Sequence, residues 1–344
     1  MTRILCFGLL ICSLFACSKP PETFERRVLS FGTLIDVTLS GVSEQQADIA
    51  LTQIESELNV MHDRWHAWRP SNLMQLNAQL QAGVPFTVDD DLLPLVEQSK
   101  RLSEASKGYF NPAIGKLVGL WGFHRDNPEQ NTGIPDEDAL QQLVISNPSM
   151  SDILIEGNQL TGKNKDIHLD FGGYAKGYGL EVLVELLRSQ QIDNALINAG
   201  GDIKGIGSVG GRPWKIAIRH PIKSEPIAWL ELQSGESIFT SGDYQRQFEY
   251  EGKRYHHIID PSTGYPSTHA RAVTVIHPDA ATADAAATAL MVAPKEDWLE
   301  VARSLKLHHF LIIDSSLNIY TDSALLKRLH PVDSTLSMVA IGTI

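Results

Sequence analysis

The residues best able to do chemistry fall in four short stretches. The first is LDFGGYAKGYG (169–179), which sets an aspartate, two glycine clusters and one lysine within eleven residues. Glycine clusters let backbone amides come close to an anion, and Lys176 adds a positive charge. The stretch is not a P-loop. GxxxxGK[ST] places a hydroxyl directly after the lysine, and here Gly177 follows Lys176. Asp170 stands at its head, where a strand over 167–171 is expected to end. Taken alone, the pattern reads equally well as a tight strand-to-helix turn.

The second stretch, NAGGDIKGIG (198–207), is a glycine turn with Asn198 before it and Asp202 after it. The third, TSGDYQRQFEYEGKRYHHIIDPSTGYP (240–266), crowds Ser241, Asp243, Arg246, Tyr255, His256, His257 and Asp260 around two turns. Successive residues of a strand face opposite ways, so at most one of His256 and His257 reaches a given site. The fourth is TADAAATAL (282–290), where Asp284 and Thr288 are four apart and share one helix face. A carboxylate and a hydroxyl without His or Cys form a hard oxygen set suited to Mg²⁺. The same pair also reads as an acid near a helix N-terminus and a threonine bonded back to its own helix. Spacing leaves both readings open.

These stretches need elements to position them. VLSFGTLIDVTLS (28–40) has strand composition with a Gly-Thr break, and Ser43 with Gln46 makes a capping-box pattern at a helix start. Ala47, Ala50, Leu51, Ile54, Leu58 and Met61 follow at helical spacing as a core-facing stripe. Residues 65–77 read as turn-rich, 91–106 and 136–146 as helices, and 153–162 as a hairpin. A helix is expected from Lys176, and strands at 195–207, 214–219, 227–232, 238–240, 246–250, 254–259 and 272–276. Helices over 281–292 and 295–305 and a strand over 308–314 close the chain. Strands and helices mix without regular βαβ alternation, which makes the fold class α+β, with mixed and antiparallel sheets and packed helices.

The N-terminus carries one basic residue, Arg3, and then an apolar run from Ile4 to Ala16. That length suits a signal-peptide core rather than a membrane span. Leu14-Phe15-Ala16-Cys17 resembles the lipobox of bacterial lipoproteins, so 1–16 is expected to be a signal peptide and Cys17 the lipidated residue. Residues 17–26 then form a tether, 27–330 one catalytic domain or two intimately packed subdomains, and 331–344 a tail. All three cysteines (Cys6, Cys12, Cys17) lie in this leader, which excludes disulfides, thiolate metal sites and cysteine nucleophiles from the remaining chain. The formal net charge is −12, and loss of Arg3 makes it one unit more negative. Such a surface argues against nucleic acid as a partner.

The four stretches in this order resemble the ApbE family of FAD:protein FMN transferases. RPSNLMQLN and YFNPAIGKLVGLWGF match two further blocks, and the resemblance runs from about Leu29 to about Asp322. It implies a T-fold-related architecture, FAD as substrate, Mg²⁺ as cofactor, and transfer of FMN to a threonine hydroxyl of a partner protein with release of AMP. By the same resemblance Asp284, Thr288 and the carbonyl of Gly173 hold the metal. Phe31, Trp68, Tyr109, Phe110, Asn111, Asp170, Lys176 and the Ile258 backbone match positions that contact FAD. The chemistry suits those roles: aromatics cover flat rings, Lys176 neutralises phosphate, and Asp170 holds the nucleotide rather than the metal.

A threonine nucleophile needs a base. His257, beside Ile258 and of a type that titrates near neutrality, is the candidate; His256 and Asp284 are the alternatives. Expected acceptors are subunits of Na⁺-translocating NADH:quinone reductase or Rnf-type complexes, reached from the periplasmic side by a lipid-anchored enzyme. Two other functions fit the same residues. Water in place of threonine gives an FAD pyrophosphatase, and loss of chemistry gives a flavin-binding lipoprotein. One departure from the family is Ser262, where many members carry arginine.

Overall fold

The computed structural model describes residues 22–342 apart from 126, 132, 334 and 335. The apolar run over 4–16 and the candidate lipidation site Cys17 lie outside the described residues. Nine strands form the central sheet: β1 (Thr23–Ser30), β2 (Thr33–Ser40), β3 (Ala195–Ala199), β4 (Asp202–Ile206), β5 (Ser237–Gly242), β6 (Ala270–His277), β7 (His309–Asp314), β8 (Ile319–Thr321) and β9 (Met338–Ala340). They lie in the sheet in chain order. Every neighbouring pair is antiparallel except β8 and β9, which run parallel. Thr23–Arg26, read above as tether, therefore belong to β1, and the expected tail supplies β9.

The hairpin of β1 and β2 turns at Phe31-Gly32, both with positive φ (49° and 70°), as two-residue hairpin turns prefer. Ser43 caps helix α1 (Glu44–Arg64) by accepting from the Gln46 N–H at 3.3 Å. The Gln46 side chain does not close the box; it donates to Gln190 O at 3.1 Å. The stripe Ala47, Ala50, Leu51, Ile54, Leu58 and Met61 is buried as its spacing predicts.

A helix was hidden in the turn-rich segment: α2 (Asn72–Ala82), capped by Ser71 Oγ accepting from Met74 N at 2.9 Å. It matters for the site, because 167–171 is not a strand. That segment instead borrows its partners from side chains and from an adjoining loop. The buried Asn77 amide accepts from Leu169 N (2.7 Å) and donates to Leu169 O (2.9 Å), while Gln81 donates to Ile167 O (2.9 Å). His168 N bonds Ala113 O, and Asp170 N bonds Pro112 O. Backbone groups taken out of water must be paired, and here that need fixes the loop beneath Asp170.

Helix α3 (Leu93–Ala105) matches the helix expected over 91–106. Helices α4 (Ala175–Ser189) and α5 (Ala280–Val292) carry the chemistry. α5 lies along β5 and β6 and against α4. The bare Cα of Gly177 on α4 is what allows the approach: a Cβ there would fall 2.2 Å from the carbonyl oxygen of Ala280. The main core fills the space between this sheet face and the helices. The other face is covered by the pair Trp214–Ile218 and Ala228–Leu232. A third cluster of Leu117, Trp121, Phe123, Leu140, Phe248 and Tyr255 sits under the hairpin Gln247–Tyr250 and Lys253–His256.

Candidate active site

α4 and α5 bring the first and fourth stretches together. The N–H of Gly177 donates to Asp284 Oδ2 at 2.9 Å. Lys176 Nζ lies 3.6 Å from Asp284 Oδ1 and 3.1 Å from Asp202 Oδ2. Asp202, which the sequence shows only as the acid after a glycine turn, sits at the start of β4 and also accepts from Thr240 N at 2.9 Å. Burial would lower the Lys176 pKa, but the two carboxylates outweigh it and hold the ammonium charged. Its charge is thus paired within the protein by two carboxylates. Burial raises the Asp284 carboxyl to about 6 against the pull of Lys176.

Thr288 is the one residue of α5 that is not buried. A Cβ built on Gly173 would lie 2.9 Å from Thr288 Oγ1, so the loop backbone passes directly over this hydroxyl. Ser241 Oγ lies 3.5 Å from the same oxygen. The segment from Gly173 to Gly177 thus approaches both Thr288 and Asp284 of α5, which carry a hydroxyl and a carboxylate. Hard oxygens of this kind fit Mg²⁺. Among the described residues no three His, Cys, Asp or Glu form a metal cluster.

Asp170 faces elsewhere. Its Oδ2 accepts from Trp68 Nε1 at 2.8 Å and its Oδ1 from Gly172 N at 2.9 Å. Trp68 is stacked on both faces, against His124 and His168, each with ring centroids 4.6 Å away. Phe31 stacks on Trp65 at 6.0 Å and covers Gly179 of α4.

The Tyr109-Phe110-Asn111 run is only partly as expected. The Tyr109 hydroxyl donates to Asp297 at 2.5 Å, and burial together with that carboxylate pushes its pKa to about 12. Phe110 is buried in the core, its ring packed beside Tyr174. Aromatic character flagged it, but packing claims it. Asn111 uses both ends of its amide in the turn, donating to Pro148 O and accepting from Ala113 N.

The two adjacent histidines separate as strand geometry requires. His256 is buried; Ile258 N–H donates to its Nδ1 at 3.3 Å, which leaves Nε2 to donate to Ser267 O at 2.7 Å. With both nitrogens committed it has no capacity to act as a base. His257 is half-buried, near Phe123 and the Arg246 carbonyl. Burial first, then the charges of His256 and Arg246, lower its pKa and keep the ring neutral. Ile258 is buried and its carbonyl accepts from Ser267 N at 2.9 Å. Sequence reasoning passed over His124 and His168. Two histidines on one tryptophan leave no periodic signal.

Residues 31–311 match the model of the ApbE family. The chain belongs to the ApbE family. An FAD:protein FMN transferase of Rhodobacter capsulatus is 38% identical over 316 residues, which cover 92% of this chain; the chain spans 60% of that relative's length. A second, from Vibrio cholerae serotype O1, is 31% identical over 322 residues, covering 90% of this chain and 94% of that protein. The crystal structure of an ApbE protein from Thermotoga maritima superposes with a TM-score of 0.82 at 28% identity, covering 90% of this chain and all of the other. The flavin transferase ApbE from Vibrio cholerae gives 0.78 at 30% identity, with the same coverage. ApbE membership agrees with the α+β class read from the sequence.

Proposed function

We propose that this protein transfers FMN from FAD to a threonine hydroxyl of a partner protein and releases AMP. The observation that carries the reading is the approach of the Gly173–Gly177 segment to Thr288 and Asp284 of α5 in a chain of the ApbE family. Asp284, Thr288 and the Gly173 carbonyl would hold Mg²⁺, which would withdraw charge from the pyrophosphate of FAD. Lys176 and the Gly177 amide keep the Asp284 carboxylate in place. Trp68, oriented by Asp170, and Phe31 offer aromatic surface to the nucleotide's rings.

His257 is the base in this reading, being neutral and not committed as His256 is. It takes the threonine proton as the threonine oxygen bonds to the FMN phosphorus. The bond from that phosphorus to the bridging oxygen breaks, and AMP leaves with the electron pair. The leader over 1–16 and Cys17 support attachment by lipid on the periplasmic side of a membrane. Subunits of Na⁺-translocating NADH:quinone reductase or Rnf-type complexes are the acceptors we propose there. Incubation with FAD, Mg²⁺ and such an acceptor domain tests the activity. In-gel flavin fluorescence on the acceptor supports transfer; AMP formation on a dark acceptor would instead assign an FAD pyrophosphatase.

A further inference from the structure

Trp68 is half-buried, and two histidine rings stack on it. Asp170 holds its indole N–H, and a Cβ on Gly119 would come within 2.9 Å of its far edge. His168 covers one face with an interplanar angle of 29°, and His124 covers the other at 30°. The two histidines are not held alike. His168 Nε2 bonds the Ala67 carbonyl at 3.1 Å, and its backbone pairs with Ala113 and Gly115. The Nδ1 of His124 is buried with no hydrogen-bond partner among the described residues. A desolvated, unpaired ring nitrogen is a standing cost, removed when the ring leaves the stack for water.

We propose that His124 is a displaceable cover of Trp68, and that a flat aromatic heterocycle of the substrate takes its place against the indole. The inference rests on the reading that the site takes FAD. A near-parallel ring at 4.6 Å occupies the position a stacked heterocycle would use. A larger ring overlaps the indole more fully, and the exchange frees the unpaired nitrogen. His168, fixed from behind, stays as the backing of the platform. His124 is thus a positioning residue that sets affinity by competing with the ligand.

Calorimetric titration of the protein with FAD tests this, using His124→Ala, His124→Phe and each change combined with Trp68→Leu. His124→Ala should bind FAD about fivefold tighter, since no cover has to move. His124→Phe, which stacks without an unpaired nitrogen, should bind more weakly than wild type. Both effects should vanish in the Trp68→Leu background. Parallel titrations with FMN and ADP identify the ring: a His124→Ala gain shared by FMN assigns the isoalloxazine, and one shared by ADP assigns the adenine. Wild-type binding of FAD with no gain, or a loss, in His124→Ala would overturn the proposal alone. A gain that persists without Trp68 would overturn it as well. Absence of FAD binding in the wild type would remove the flavin reading and this inference together.

Discussion

The backbone amide of Gly177 donates to Asp284 Oδ2 at 2.9 Å, joining two residues 107 positions apart in the chain. One hydrogen bond thus ties the glycine loop to the alanine helix, and Lys176 bridges the same carboxylate to Asp202. In the proposed reading the loop and the helix are two halves of a single site.

Asp284→Asn keeps the size of the side chain and its bond from Gly177 while removing the charge. Turnover of FAD should fall at least about a hundredfold, with the thermal midpoint changed little. Rates measured by AMP release with saturating Mg²⁺ check this; near-wild-type turnover would sink the metal assignment.

Mg²⁺ should stabilise the protein in a pH-dependent way, because binding needs the ionised carboxylate of Asp284. That carboxyl titrates at about 6, raised from 3.8 chiefly by burial. Without metal, a raised acid favours the neutral native form, so its own contribution is complete below about pH 4 and lost as pH rises through about 6. The contribution of Mg²⁺ runs the other way, full above about pH 6 and declining below it. Thermal scans with and without Mg²⁺ should show a larger upward shift at pH 8 than at pH 5. Equal shifts would contradict the assignment.

His257→Ala should lower transfer by about 10²–10⁴-fold while FAD affinity stays close to wild type. His256→Ala should do something different: it strips partners from Ile258 N and Ser267 O and should cost about 1–3 kcal/mol of stability. Paired denaturant and rate measurements separate the two. A stability loss in His257→Ala with unchanged rate would reverse the roles.

Gly177→Ala should be more damaging than its size suggests. The new methyl would meet Ala280 O at 2.2 Å, forcing α4 from α5 at a cost of about 1–3 kcal/mol, and should weaken the hold on Asp284. Denaturant midpoints and Mg²⁺ affinity, read together, check both effects.

Asp170→Asn should loosen Trp68, whose indole N–H donates to this carboxylate. FAD affinity should drop about tenfold, and the emission of Trp68 should change in the free protein. An unaltered dissociation constant would mean that Asp170 serves only its own turn with Gly172.

Much of this was legible in the sequence because it is local. The α1 stripe, the Ser43 cap and the 153–162 hairpin all depend on period and spacing. What escaped depends on distant partners. Leu169 has strand composition, but its backbone is paired by the side chain of Asn77 on a helix masked by Trp, Pro and Ser around it. Phe110 looks like a ligand-facing aromatic, and only the structure shows its ring packed beside Tyr174 in the core. Asp202 gains meaning only from Lys176, and His124 only from Trp68.

The most direct test of flavin transfer is the intact mass of an acceptor domain after incubation with the protein, FAD and Mg²⁺. The account predicts the addition of one FMN, located by fragmentation on a threonine, with one AMP released per label and neither product formed by Asp284→Asn. AMP released without any gain in acceptor mass, or full labelling by Asp284→Asn, would contradict it.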